Sequence, residues 1–181
     1  MAWITKDSAT ARVEKRDEPY LTEAMRTELR EKYVPRYEVS KGALLPALHM
    51  IQHEYGWVPE QAMLEIAQEL GLEPSEVQDT ATFYEEYWTD PKGRTVVAVC
   101  RSIACEFCGH AEITKAACEK LGVEVGETTD DEKFTVVELE CLGSCGTAPV
   151  ALVGETLHEN VTPDGIRRAI DDSSAGGHGV H

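Results

Sequence analysis

All six cysteines of this chain fall between positions 100 and 145, and none precedes them. A chain of 181 residues with that asymmetry must gather its thiols in the second half and fold its first half without them. The N-terminal stretch MAWITKDSATARVEKRDEP has no apolar run and carries Asp7, Glu14, Asp17 and Glu18, so neither a secretory signal nor a transit peptide is expected. The expected location is then the cytoplasm. In a reducing compartment the thiols serve as metal ligands, catalytic nucleophiles or small buried residues rather than as disulfides.

The spacings narrow that choice. Cys100 and Cys105 form a C-x4-C pair, and Cys141 and Cys145 form a C-x3-C pair. Each pair begins where a strand is expected to end. ThrValValAlaValCys at 95–100 is β-branched and continuously apolar, as in a strand buried on both faces, and PheThrValValGluLeuGlu at 134–140 is similar. Between them, 109–121 reads as a helix closed by Gly122. ProValAlaLeuVal at 149–153 gives a third strand, Gly154-Glu155 turns into a short fourth around 156–160, and a last helix runs from Thr162 or Asp164 to about Asp172. The order β-α-β-β-β-α is the thioredoxin-like arrangement, whose β-α-β opening implies a parallel pair. Ligands of open parallel sheets bind at the carboxyl ends of the strands, where both cysteine pairs would meet.

Four thiolates suit two chemistries. A [2Fe–2S] cluster takes two thiolates on each iron, and wider pair spacing spans its larger core. A structural zinc ion takes four thiolates around one centre and typically uses tight C-x2-C knuckles. The spacings fit the cluster better, and a zinc-stabilised interaction module stays open as the alternative of another class. LeuGlySerCysGlyThrAlaPro at 142–149 keeps bulk away from Cys145, and its backbone N–H groups could donate to sulfur. Cys105 and Cys108 form a literal C-x-x-C, the thiol oxidoreductase spacing, but that reading leaves Cys141 and Cys145 without a role. Cys108 is expected to begin the following helix as a non-ligand, and Cys118 to be a small core residue.

The first half reads as helices. Leu21, Met25, Leu29 and Tyr33 share a face, with Thr22 as cap and Pro35 as terminator; Leu44, Leu48, Ile51 and Tyr55 form a second stripe, opened by Ser40 and ended by Gly56. Pro46 should kink that helix or relax its first turns. Met63, Ile66, Ala67 and Leu70 form a third face between Pro59 and Gly71, and a short fourth helix from Pro74 includes Val77 and Ala81. The fold class is therefore α+β. Its expected divisions are a polar arm at 1–18, a helical bundle at 19–88, a thioredoxin-like domain with the cysteine site, a [2Fe–2S] cluster being the favoured occupant, at 89–172 and a flexible tail at 173–181 that includes His178 and His181.

No catalytic apparatus stands out. His49, His53, His110 and His158 are scattered, and each reads as part of a polar or half-buried face. There is no G-x-G-x-x-G and no Walker-type loop, so no nucleotide site is visible; if the chain serves an NADH enzyme, another chain must bind NADH and flavin. The formal net charge of −16 disfavours nucleic acid and favours a basic protein partner. No apolar run approaches a membrane span, so direct insertion is not expected.

LeuLeuProAlaLeuHisMetIleGlnHisGluTyrGlyTrpValPro at 44–59, AlaThrPheTyrGluGluTyr at 81–87, ValCysArgSerIleAlaCys at 99–105 and GluCysLeuGlySerCysGlyThrAlaProVal at 140–150 together resemble the E-subunit family of NADH-quinone oxidoreductases (respiratory complex I), the thioredoxin-like [2Fe–2S] ferredoxins. The resemblance spans about residues 20–172. It implies a helical domain followed by the ferredoxin domain, and ligation of one [2Fe–2S] cluster by Cys100, Cys105, Cys141 and Cys145. It also implies a partner flavoprotein subunit carrying NADH and FMN beside that cluster, further peripheral-arm subunits, and attachment to the cytoplasmic face of the inner membrane through the complex. Relatives in NAD-dependent formate dehydrogenases and NAD-reducing hydrogenases make those enzymes the alternative setting.

Overall fold

The computed structural model describes residues 16–175. The chain divides at the Asp90/Pro91 junction into two compact units. Most of the expected arm and tail, with His178 and His181, lies outside the described residues.

The first unit is helical. Helix α1 (Glu23–Glu28) is capped by Thr22, whose hydroxyl accepts the Met25 N–H at 3.3 Å. It continues as a wider π turn over Leu29–Tyr33 and a tight 3₁₀ turn over Val34–Arg36, so Pro35 ends the segment as its missing N–H requires. Helix α2 (Leu44–Tyr55) is preceded by a 3₁₀ turn, Ser40–Ala43. Ser40 therefore does not cap α2; its hydroxyl donates to the Leu70 carbonyl at 2.7 Å. Pro46 falls in the first turn of α2, where a lost N–H removes no helical bond, and the helix ends on Gly56 at φ +79°. Helix α3 (Glu60–Leu70) starts one residue later than expected, with Pro59 as the capping residue, and Gly71 closes it. In α4 (Pro74–Phe83) the Glu76 carboxylate accepts the Glu73 N–H at 3.1 Å, half of a reciprocal cap. Leu21, Leu29, Leu48, Ile51, Val58, Ile66 and Val77 are fully buried in one core.

Glu69 is the charged centre of this unit. Its carboxylate side chain is 5% exposed and is held by Arg26 at 2.6 Å and by Arg30 through two nitrogens. The Arg30 hydrogen bond and then Arg26 hold its pKa below the ordinary 4.5. A lowered carboxylate pKa stabilises the fold above the ordinary value, and that contribution is lost as pH falls through the folded one. Because Arg30 is exposed, the solvent-screened part counts for little. Glu69→Ala is expected to cost about 2 kcal/mol at pH 7, mostly from stranding the Arg26 guanidinium. Urea melts should show that difference shrinking below pH 4.5.

The second unit contains a four-stranded mixed sheet of order β2-β1-β3-β4: β1 (Thr95–Cys100), β2 (Phe134–Leu139), β3 (Ala151–Val153) and β4 (Thr156–His158). Strands β1 and β2 are parallel, in register from Thr95 opposite Phe134 to Cys100 opposite Leu139. Strand β3 runs antiparallel to β1, with Val97 opposite Val153 and Val99 opposite Ala151, and β4 is antiparallel to β3. Two helices join β1 to β2: α5 (Ile103–Phe107), which the sequence reading overlooked, and α6 (His110–Leu121). Helix α7 (Pro163–Ala175) follows β4 and runs three residues past the expected Asp172. Val97, Val99, Val136 and Val153 pack with Ile113 and Ala117 of α6 and with Ile166 and Ile170 of α7. At the entry to β1, a Cβ on Gly93 would sit 2.7 Å from the Phe134 backbone, so the close approach requires glycine.

Candidate metal centre

Strand order places the cysteines. Because β2 and β3 flank β1 and run in opposite directions, β2 ends and β3 begins at the same edge of the sheet. The connection over residues 140–150 must therefore cross the carboxyl end of β1, a width of roughly 10 Å for two strand spacings. Cys100 is the last residue of β1, directly under that crossing. Its N–H donates to the Val150 carbonyl at 3.1 Å, and the Arg101 N–H donates to the Leu139 carbonyl at 2.9 Å, so both neighbours grip the strand end.

The two thiols on the β1 side are buried and the two on the crossing are exposed. Cys105 sits in the middle of α5, 1% exposed, in a small apolar cluster with Cys100 and Val150, against which Leu142 and Ala148 pack. Cys141 and Cys145 face outward, Cys145 at the start of a 3₁₀ turn, Cys145–Thr147. All six cysteines are free thiols. Burial pushes the Cys105 thiol pKa up; a Val150 backbone hydrogen bond opposes the rise, and Cys100 and Cys145 add to it. Cys100 and Cys145 thus both lie near enough to Cys105 to act on its thiol. The Gly143 N–H points at the Cys141 sulfur at 3.4 Å, with Gly143 at φ +77°. Cβ directions at both Gly143 and Gly146 are open, so nothing crowds the space around the outer pair.

Polar contacts fix the crossing. Glu159, just after β4, accepts from Ser144 at 2.6 Å and from Thr147 at 2.5 Å, and these bonds hold its pKa below the ordinary value. The Asn160 and Val161 N–H groups donate to the Thr147 and Pro149 carbonyls, at 2.7 and 2.9 Å. Arg101 and Glu140 pair across the ends of β1 and β2. Glu159 escaped the sequence reading, since a lone surface glutamate carries no local signal for a contact fifteen residues back.

The structure thus brings Cys100 and Cys105 together in one cluster, sets Cys145 within the electrostatic reach of Cys105, and carries Cys141 to the same edge. Cys108 caps the end of α5 as an exposed residue, one element earlier than expected, and Cys118 lies half-buried in α6. Among the described residues no three His, Cys, Asp or Glu side chains close around the position of a single metal ion. The donor set fits a two-iron group, which distributes four thiolates over two metals and accepts N–H···S bonds of the kind Gly143 and Val150 offer. No helix of the described residues is long and apolar enough to cross a membrane.

Residues 30–174 match a sequence model whose description is thioredoxin-like [2Fe–2S] ferredoxin. The chain is 34% identical to the E subunit of NADH-quinone oxidoreductase from Pseudomonas aeruginosa over 151 residues, 83% of this chain and 90% of that one. It is also 34% identical to the protein of the same name from Escherichia coli strain K12 over 154 residues, 85% of this chain and 93% of that one. Among solved structures, a chain of NAD+-reducing [NiFe]-hydrogenase in the H2-reduced state aligns at TM-score 0.63 and 25% identity, covering 74% of this chain. Only 22% of that hydrogenase chain is spanned.

Proposed function

The chain belongs to the thioredoxin-like [2Fe–2S] ferredoxin family, and on that premise we propose that it is the electron-transfer subunit of an NADH-quinone oxidoreductase, holding one [2Fe–2S] cluster on Cys100, Cys105, Cys141 and Cys145. The observation that supports the ligand assignment is the crossing of residues 140–150 over the carboxyl end of β1, so that the segments carrying both cysteine pairs lie at one end of the sheet.

Bound there, the group supplies a one-electron store. The chain's residues do the rest. Cys100 and Cys105 anchor it from the buried side, and Cys141 and Cys145 hold it from the crossing. N–H groups of Gly143 and Val150 direct positive dipole toward sulfur, which favours the reduced state. The Glu159 clasp keeps the crossing in place. NADH and FMN sites belong to a partner flavoprotein, because this sequence has no Gly-rich dinucleotide loop. Ile103 and Phe107, 73% and 86% exposed on the same short helix as Cys105, suit a protein contact beside the site. Through that partner and other peripheral-arm subunits the chain joins the cytoplasmic face of the inner membrane.

A second setting has a specific observation in its favour: the structural match to a chain of an NAD+-reducing hydrogenase. Anaerobic purification from the native source tests the setting, and metal and sulfide analysis of the isolated chain tests the cofactor. About two irons and two sulfides per chain are expected, with quinone-reductase subunits co-purifying. A hydrogenase or formate dehydrogenase subunit in their place overturns the setting; about one zinc and no colour overturns the cofactor.

A further inference from the structure

Resting on the reading above, we propose that His110 is a positioning residue that couples the two cysteine loops and raises the reduction potential of the cluster they hold. His110 opens α6 and is 9% exposed. Its Nδ1 lies 2.9 Å from Glu106 Oε2, and its Nε2 lies 3.7 Å from Glu138 Oε1. Glu106 directly follows Cys105, and Glu138 lies three residues before Cys141. The imidazole therefore stands between a side chain of each ligand-bearing segment. Thr114, one turn further along α6, donates to the same Glu138 oxygen at 2.9 Å, so one helix face grips β2 at two points.

The contact with Glu106 runs off the N–H axis. Among the described residues Nδ1 is the one buried side-chain polar atom without a directed hydrogen bond. Such an atom costs free energy, and native folds seldom keep one without a use. Its position supplies the use. Without the imidazole's polar edges, the half-buried Glu138 loses one partner and nothing polar stands between it and the more exposed Glu106, so the two like charges repel. Helix α5 and the end of β2 then move apart, carrying Cys105 and Cys141 with them. Lengthened N–H···S bonds and the less shielded carboxylates both oppose an added electron.

The test is a redox titration of the purified complex, followed by the electron paramagnetic resonance of the reduced cluster. His110→Leu keeps the volume and removes the polar edge. It is expected to lower the reduced-to-oxidised ratio at fixed ambient potential about tenfold, which is 59 mV for one electron. His110→Asn places an amide nitrogen near the Nδ1 position and should stay within about threefold of wild type. Thr114→Val, nearly isosteric, should move the ratio about threefold in the same direction as His110→Leu and remains informative if that variant fails to fold. A His110→Leu or Thr114→Val cluster titrating as wild type overturns the proposal, as does a His110→Asn shift equal to that of His110→Leu. Absence of a cluster in the wild-type complex overturns the underlying reading instead.

Discussion

Replacing Cys141 or Cys145 with serine is expected to take the iron content of the purified chain from about two to less than half an iron per chain. Both thiols stand on the exposed crossing, where no apolar packing substitutes for a metal–sulfur bond. A serine oxygen is a harder, more basic donor than thiolate and holds iron–sulfur groups poorly. Cys100→Ser and Cys105→Ser should lose the cluster equally, and with it some stability, because each places a hydroxyl in the small apolar cluster around Val150. Cys108→Ser is the control. Its thiol is exposed at the end of α5, and the variant should keep its full complement of iron and sulfide. Iron and sulfide analysis on all five proteins checks the assignment. A cluster lost in Cys108→Ser and kept in Cys105→Ser would falsify it.

Removing the cluster from wild-type protein by anaerobic chelation should destabilise the second unit by about 4 kcal/mol, the linkage for a ligand held a thousandfold above its dissociation constant. For a unit of this size that is a fall of roughly 20 °C in melting temperature. The crossing explains the size of the effect. Residues 140–150 carry two exposed thiols; the Arg101–Glu140 pair and the Cys100–Val150 backbone bond hold the two ends of the segment at β1, the Glu159 clasp and the bonds from Asn160 and Val161 hold its second half, and a cluster would add the tie at Cys141 and Cys145. The freed thiols should also react with a maleimide within minutes, Cys141 and Cys145 ahead of Cys100 and Cys105, whose burial shields them. Scanning calorimetry of loaded and stripped protein, with mass mapping of the labelled cysteines, checks both parts. Equal melting temperatures would refute the linkage.

Much of this fold is legible in the residues because its signals are local. Val97, Val99, Val136 and Val153 are β-branched and uninterrupted, and they became the buried face of the sheet. Gly56, Gly71 and Gly122 ended helices in the left-handed region, as glycine permits. Helix α5 was not legible, since IleAlaCysGluPhe is too short to show a period and shares its residues with the cysteine motif. Ser40 looked like a cap because serine before an apolar stripe usually is one; a carbonyl thirty residues away claimed its hydroxyl instead. At the proposed site, the four cysteines stand out in the sequence by type and spacing. The parts that hold them in place do not. Glu159 reaches Ser144 and Thr147 only after β3 and β4 fold back, and His110 meets Glu138 only after β2 pairs with β1. The pairing of Glu106 with His110 at four residues' spacing was the one local clue.

The crossing over β1 also sets a timetable for maturation. Cys100 and Cys105 leave the ribosome first, and Cys141 follows 36 residues after Cys105, roughly 2–7 s later at ordinary rates of synthesis. The crossing cannot settle until β3 has paired with β1 and Glu159, later still, has been made. For that interval the nascent chain presents an early half-site with its lid not yet synthesised. On the proposed ligand set, iron and sulfide delivered then would meet two thiols rather than four, and productive loading is expected after translation has passed Glu159. The order of the strands thereby places cofactor insertion after the synthesis of Glu159.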